Sequence, residues 1–307
     1  MAQTMTNAKP GLKIRQRRRF QEAALAYLFL APTLLGLIFF SLGPVIAGFL
    51  ISFTNWNLLL PPNWVGLYNY QALIDLELPH KVLRNTLYYT VLNVPLNMTL
   101  ALITALLLNQ KLRWVALYRA VYFLPVVSST VAASLIWTWL FSPNFGPINY
   151  FLESIGIPGP AWLGSTAWAM PAVIIMSVWK GFGINMLIFL AGLQSMPQEL
   201  TEAAMIDGAN RWQRFWRVTW PLLTPTTFFV LVISCIASFQ VFEQVYVMTN
   251  GGPAYATTVL GLFIYLNAFR YNNMGYAAAA AYVLFAIIMV FTLAQFRLQE
   301  RWTNYDL

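Results

Sequence analysis

Six long apolar stretches, separated by polar or Pro/Gly-rich segments, organise this chain; they cover roughly residues 23–52, 85–108, 121–141, 169–193, 226–248 and 275–296. Each matches or exceeds the ~20 residues that a helix needs to cross the hydrocarbon core of a bilayer. Only helices and closed barrels leave no backbone group unpaired in lipid. The apolar positions run on without alternating, and that predicts helices. The pattern therefore predicts an all-α integral membrane protein with six transmembrane helices. An even number of spans places both termini on one side.

Composition narrows the class. Of the 307 residues, 59% are hydrophobic and 9% charged, against about 25% charged in soluble domains. The net charge of +8 comes largely from placement at one face. Lys9, Lys13, Arg15, Arg17, Arg18 and Arg19 precede the first stretch, where cytosolic retention and anionic lipid account for them. No aromatic–basic interleaving points to nucleic acid. The first stretch is too long for a signal-peptide core, so it is expected to be a retained anchor. With the N-terminus inside, the inner segments also hold Lys111, Arg113, Arg119, Arg211, Arg214, Arg217, Arg297 and Arg301, and the outer loops only Lys81, Arg84 and Arg270. That asymmetry obeys the positive-inside rule. It predicts a bacterial or archaeal cytoplasmic (inner) membrane protein with both termini cytosolic. Three parts follow: a basic segment 1–22, a membrane domain 23–296 and a cytosolic tail 297–307. Cys235 is the one cysteine and His80 the one histidine, so neither a disulfide nor a metal site is expected.

The outer loops, 55–83 and 142–168, are rich in Pro, Gly and Trp, with Trp56, Trp64, Trp162 and Trp168 at interfacial positions. Pro and Gly predict tight turns and poor helices there, a lip suited to an external partner or to plain interfacial anchoring.

The polar insert near residue 200 carries the clearest functional pattern. Residues 198–206 read as a short helix, Asp207-Gly208-Ala209-Asn210 as a turn, and 211–220 as a second amphipathic helix that Pro221 ends before span 5. Glu202, Ala203, Ala204, Asp207, Gly208 and Pro221 stand out: small residues for close packing, a charge for a basic partner, and a glycine for positive φ. An amphipathic helix lying on the inner leaflet is the plainer alternative.

This spacing, Glu202-Ala203-Ala204, then Gly208, Val218, Trp220 and Pro221, resembles the EAA loop of ABC-importer permeases, with Val and Trp in place of the usual Ile and Leu. The runs from Phe189 to Pro197 and from Tyr246 to Pro253 are similar to those of carbohydrate-type, binding-protein-dependent permeases, the family of the maltose and sn-glycerol-3-phosphate importers. The resemblance implies a type I ABC-importer (MetI-like) fold with a cytosolic coupling loop at about 197–222. It also implies a second homologous permease, two cytosolic ABC ATPases and an extracytoplasmic solute-binding protein as partners. ATP and Mg would be bound by the ATPases, and this chain would carry no cofactor. It has no Gly-x4-Gly-Lys-Ser/Thr sequence and is expected not to be an enzyme.

Polar groups inside spans mark candidate pathway residues. Gln240, Glu243 and Gln244 fall at i, i+3 and i+4 of span 5, flanked by Phe239, Phe242 and Tyr246. Amides and a carboxylate suit sugar hydroxyls, and rings suit the apolar sugar face. Asn93 and Asn97 continue a stripe with Thr86 and Thr90, for which helix–helix hydrogen bonding is the competing reading. Lys180 lies deep in span 4; pairing with Glu243 or attraction of an anionic solute would each account for it. Residues 277–281, rich in alanine, read as a packing face. The expected function is translocation of a small hydroxylated solute by alternating access driven by partner ATPases. A secondary transporter is the alternative, although six spans and one docking insert count against it. A membrane enzyme would need catalytic clusters that the sequence lacks.

Overall fold

The computed structural model describes residues 11–110 and 113–299, with the backbone alone for 11–21 and 23–24. Lys9, Lys111, Arg301 and the rest of the tail from residue 300 lie outside the described residues, as do the side chains of Lys13, Arg15 and Arg17–Arg19. Among the described residues every long element is a helix.

The chain divides into two units, 1–51 and 52–307. The first holds α1 (Gly11–Leu37), a π-helical turn at Ile38–Leu42 and α2 (Gly43–Ile51). Together they give one candidate span, Leu25–Ile51. None of its described side chains is buried, as suits a helix apolar on every side.

The second unit begins with α3 (Tyr68–Asp75) and α4 (Glu77–Leu108), followed by α5 (Val115–Val127), α6 (Thr130–Leu140), α7 (Pro147–Ser154) and α8 (Ala169–Gln194). After α9 (Gln198–Ile206) and α10 (Arg211–Arg214) a π turn, Phe215–Thr219, runs into α11 (Trp220–Phe239). The last elements are α12 (Glu243–Thr249), α13 (Leu260–Tyr265), a π turn at Leu266–Arg270 and α14 (Met274–Gln299). Among the described residues five helices are long and apolar enough to cross a membrane, and a sixth span results when bent α5 and α6 count as one.

One apolar cluster lies where α4, α8 and α11 meet, filled by Ala101, Ala105, Met186, Phe189, Leu223 and Val230; others pack Met176 with Val245 and Phe239 with Leu284. Lipid is as apolar as these side chains, so close packing and interhelical hydrogen bonds, more than the hydrophobic effect, hold such a bundle. α4 and α8 run parallel: Asn97 meets Asn185, and one turn pair earlier Tyr89 and Ser177 share Gln244.

Four expectations need correction. Span 2 starts at Glu77, whose carboxylate sits in the first helical turn and complements the positive end of the helix dipole. Span 3 is broken: Ser128 and Ser129 adopt extended backbone, with ψ of 150° and 131°, and α5 and α6 meet at 96°. Span 5 ends at Phe239, and Phe242, at φ −147° and ψ −63°, separates it from α12. Pro221, in contrast, ends nothing. Arg211–Phe239 is one continuous 29-residue helix. The π turn is the reason. The Trp220 N–H bonds to the Phe215 carbonyl, shifting the ladder by one residue just where the proline ring would strike the turn before it. The Gly43 N–H bonds to the Ile38 carbonyl in the same way immediately before Pro44.

The Pro- and Gly-rich loops also hold more helix than expected. Pro147 opens α7 at its first turn, where a missing N–H costs nothing. Buried Asn149 then ties that loop, donating to the carbonyls of Pro143 and Pro160 and accepting from Trp162 Nε1 at 2.7 Å.

Candidate functional site

The docking insert forms as its residues dictate. α9 closes in a Schellman arrangement: Gly208 N–H donates to the Met205 carbonyl (3.1 Å) and Ala209 N–H to the Ala204 carbonyl (3.0 Å), with Gly208 at φ +79°. A residue with a Cβ is strained there. Asn210 then caps α10 through a capping box, its Oδ1 accepting from Gln213 N–H at 2.9 Å and its own N–H donating to Gln213 Oε1 at 3.0 Å. Glu202, Ala203, Asp207 and Gly208 are exposed. Beside them Ile206 is 87% and Trp212 69% exposed, joined by Met205, Leu200 and Trp216. A cavity of about 400 Å³ opens among Ala204, Asp207, Gly208, Gln213, Arg214 and Arg217. The loop is thus a stiff platform with exposed apolar side chains beside basic ones.

The polar span residues converge elsewhere. α4, α8, α11 and the start of α12 wall a cavity of about 350 Å³, and Asn93, Asn97, Lys180 and Gln244 all line it. Tyr89, Ser177, Asn185, Ser234 and Ser238 join them. Buried Asn185 donates through Nδ2 to Asn97 Oδ1 at 2.7 Å and to Ser234 Oγ at 2.9 Å, tying three helices with one amide. Gln244 Nε2 donates to Tyr89 Oη (3.2 Å) and Ser177 Oγ (3.3 Å). Asn93 Nδ2 points at Ser238 Oγ, 3.4 Å away, while Asn93 Oδ1 is buried without a protein partner. A buried acceptor left in that state costs ~1–3 kcal/mol, so it calls for a donor from the cavity.

Helix–helix hydrogen bonding and cavity lining therefore coexist in α4, where Asn97 does both. Asn185, Ser177, Ser234 and Ser238 were legible only as intramembrane polar residues at helical spacing, four apart in the last pair and eight in the first. Gln240 and Glu243 do not line the cavity. The break at 240–242 ends the shared helical face, leaving Gln240 as the exposed cap of α11 and Glu243 as the exposed first residue of α12. Phe239 is buried against Phe291, whereas Phe242 stacks on Tyr246 with centroids 5.6 Å apart, beside Tyr265.

Lys180 takes partners that periodicity could not reveal. Its Nζ donates to the Ser128 carbonyl at 2.7 Å and the Pro125 carbonyl at 3.1 Å. One carbonyl belongs to the last turn of half-helix α5 and the other to its cap residue, Ser128, whose Oγ also donates to the Pro125 oxygen at 2.6 Å; a cation at this end is favoured by the helix dipole. Glu243 acts on the ammonium only as a charge through space. Of the two readings of Lys180, the hydrogen bonds supply neither: backbone carbonyls hold its ammonium.

Comparison with known proteins decides the class. Residues 97–304 match the family described as "Binding-protein-dependent transport system inner membrane component". The chain belongs to this family. The permease is 37% identical over 285 residues to a probable ABC transporter permease protein, YesP, of Bacillus subtilis, covering 91% of this chain and 92% of that one. It is 34% identical to the sn-glycerol-3-phosphate transport system permease protein UgpA of Agrobacterium fabrum, covering 93% and 98%. Among solved structures it resembles a bacterial ABC transporter involved in the import of the acidic polysaccharide alginate, with TM-score 0.80, 25% identity and coverage of 94% and 100%. A second structure, that of the bacterial alginate ABC transporter in complex with alginate pentasaccharide-bound periplasmic protein, matches with TM-score 0.79, 24% identity and coverage of 92% and 96%, and supports the fold. The expected all-helical importer fold therefore holds. The permease is the non-catalytic, inner-membrane component of a carbohydrate ABC importer.

Proposed function

We propose that this permease passes a small hydroxylated solute through the cavity between α4, α8 and α11, with energy entering at the α9–α10 platform. The observation that carries this reading is the unbroken helix Arg211–Phe239. One end belongs to the platform; the other presents Ser234 and Ser238 to the cavity. From Arg211 to Ser234 a helix spans about 35 Å at 1.5 Å per residue. Movement imposed at the platform is transmitted along such a rod to the cavity wall, an economical route from ATPase closure to alternating access.

The partners in this reading are those that membership of the family implies. Two cytosolic ATPases would bind ATP and Mg and dock on the platform through Glu202, Ala203, Ala204, Asp207 and Gly208. A second homologous permease would complete the path, and a periplasmic solute-binding protein would deliver the solute, with both termini cytosolic. Pro221 serves here within the rod and not as its stop. The reading is tested with Gly208→Val and Glu202→Lys in the reconstituted importer. Positive φ at 208 costs a non-glycine residue about 1–2 kcal/mol, so the first should deform the platform, and the second reverses a charge on it. Uptake and ATPase co-purification should fall while membrane insertion persists. Normal uptake in both variants would remove the platform from the mechanism.

A further inference from the structure

We infer that the cavity selects a carbohydrate bearing an anionic group, a uronate carboxylate or a phosphate ester, an inference that rests on the cavity being the solute path. Two cavities lie in series along the parallel pair α4–α8. The first is that of Asn93, Asn97 and Gln244, and the one charged side chain lining it is Lys180. The second, about 340 Å³, is lined by Lys81, Arg84, Asn85, Tyr88, Thr166 and Met170 among others. Along α4, Asn85 in the lining of the second cavity precedes Asn93 by eight residues, about 12 Å and just over two turns of helix, so the two lie near one face. Among the described residues no carboxylate lines either cavity. The nearest acidic influence on Lys180, that of Glu243, acts through space from outside the lining.

Each cation retains capacity for a ligand. Lys180 gives two hydrogen bonds to carbonyls and Lys81 one, to Ala254 at 2.7 Å, out of the three donors an ammonium carries. Arg84 is exposed at the second cavity. A neutral sugar is satisfied by amides and hydroxyls, which the first cavity supplies through Asn93, Gln244 and Ser238. It gains little from a cation whose placement in a span is costly. An anionic oxygen makes charge-assisted bonds roughly twice as strong as neutral ones. Three cations across the two cavities, with no carboxylate among the described linings, attract such a solute. When the anion binds Lys180 it also competes with the Pro125 and Ser128 carbonyls, so the charge that selects the solute touches the bend between α5 and α6.

The test uses the intact importer in proteoliposomes with three probes: digalacturonate, neutral galactobiose and galactose 6-phosphate. The first and third separate carboxylate from phosphate. Uptake of an anionic probe should exceed that of the neutral one. Lys180→Gln and Arg84→Gln should each weaken its half-saturation about tenfold or more, while Lys180→Arg retains it. Size-exclusion chromatography checks assembly, and exposed Arg84 carries the test should Lys180→Gln fail to assemble. Preference for the neutral probe, or Gln variants that leave anion uptake unchanged, overturns the inference. Gln244→Ala separates the two layers. If it lowers uptake while Lys180→Gln and Arg84→Gln do not, the cavity stands and the anion selectivity falls; if all three are silent, the cavity reading falls as well.

Discussion

Asn185→Leu removes the amide that ties α8 to α4 through Asn97 and to α11 through Ser234, while keeping the same branched side-chain shape. Interhelical hydrogen bonds within membranes average about 0.6 kcal/mol and reach about 1.7. Two lost bonds therefore subtract about 1–3 kcal/mol. The result should lie toward the upper end, because Asn97 Oδ1 is stranded in a buried position. Asn97→Leu in the same chain removes the stranded acceptor. The double variant should thus cost about 1 kcal/mol less than the two single losses together, a coupling that a double-mutant cycle measures directly. The assay is equilibrium unfolding of the assembled importer in mixed micelles, followed by tryptophan fluorescence, with all four variants in one lipid composition. A single Asn185→Leu loss below about 0.5 kcal/mol, or singles that simply add, would refute the network as a structural tie.

Other substitutions probe neighbouring contacts. A Cβ at Gly183 would meet the Tyr122 carbonyl at 2.5 Å and Val126 Cγ2 at 3.0 Å, so Gly183→Val should force α5 from α8 and cost about 1–3 kcal/mol, read as lowered thermal stability of the complex. Glu243→Gln should leave assembly intact by size-exclusion chromatography, because carbonyls and not this carboxylate hold Lys180; loss of assembly rescued by Lys180→Met would restore the ion-pair reading. Pro221→Ala should leave the helical content of the chain unchanged by circular dichroism, since the helix already runs through that position.

Span 4 was legible almost to the residue, whereas span 2 starts eight residues before the apolar stretch that marks it. Span 4 begins at Ala169 in both sequence and structure, because apolar length and helix formation coincide there. The breaks were not legible. Pro221 carries the strongest local stop signal yet is absorbed by a π turn, a response that depends on one hydrogen bond shifting register. The breaks at Ser128 and Phe242 carry no proline or glycine at the break itself. They depend on distant partners: Lys180 caps the first, and Gly261 allows its own backbone to approach the Val241 carbonyl at the second. The same non-local cause divided the pathway residues. Asn93, Asn97, Lys180 and Gln244 share a cavity because α4, α8 and α12 converge, whereas Gln240 and Glu243 were grouped with them by a periodicity that stops at Phe239. The turn of the platform was legible because its signal is local, a glycine at positive φ; the Asn210–Gln213 capping box emerged only in the structure.

If the Arg211–Phe239 helix transmits motion from the platform to the cavity, solute imported per ATP hydrolysed depends on its stiffness. Val218→Gly with Thr219→Gly softens the rod at its π turn without changing its length, each glycine costing a helix about 1 kcal/mol. The account predicts that the reconstituted importer still assembles and hydrolyses ATP, while solute imported per ATP falls about tenfold or more. An unchanged ratio in this variant, with assembly intact, would contradict the claim.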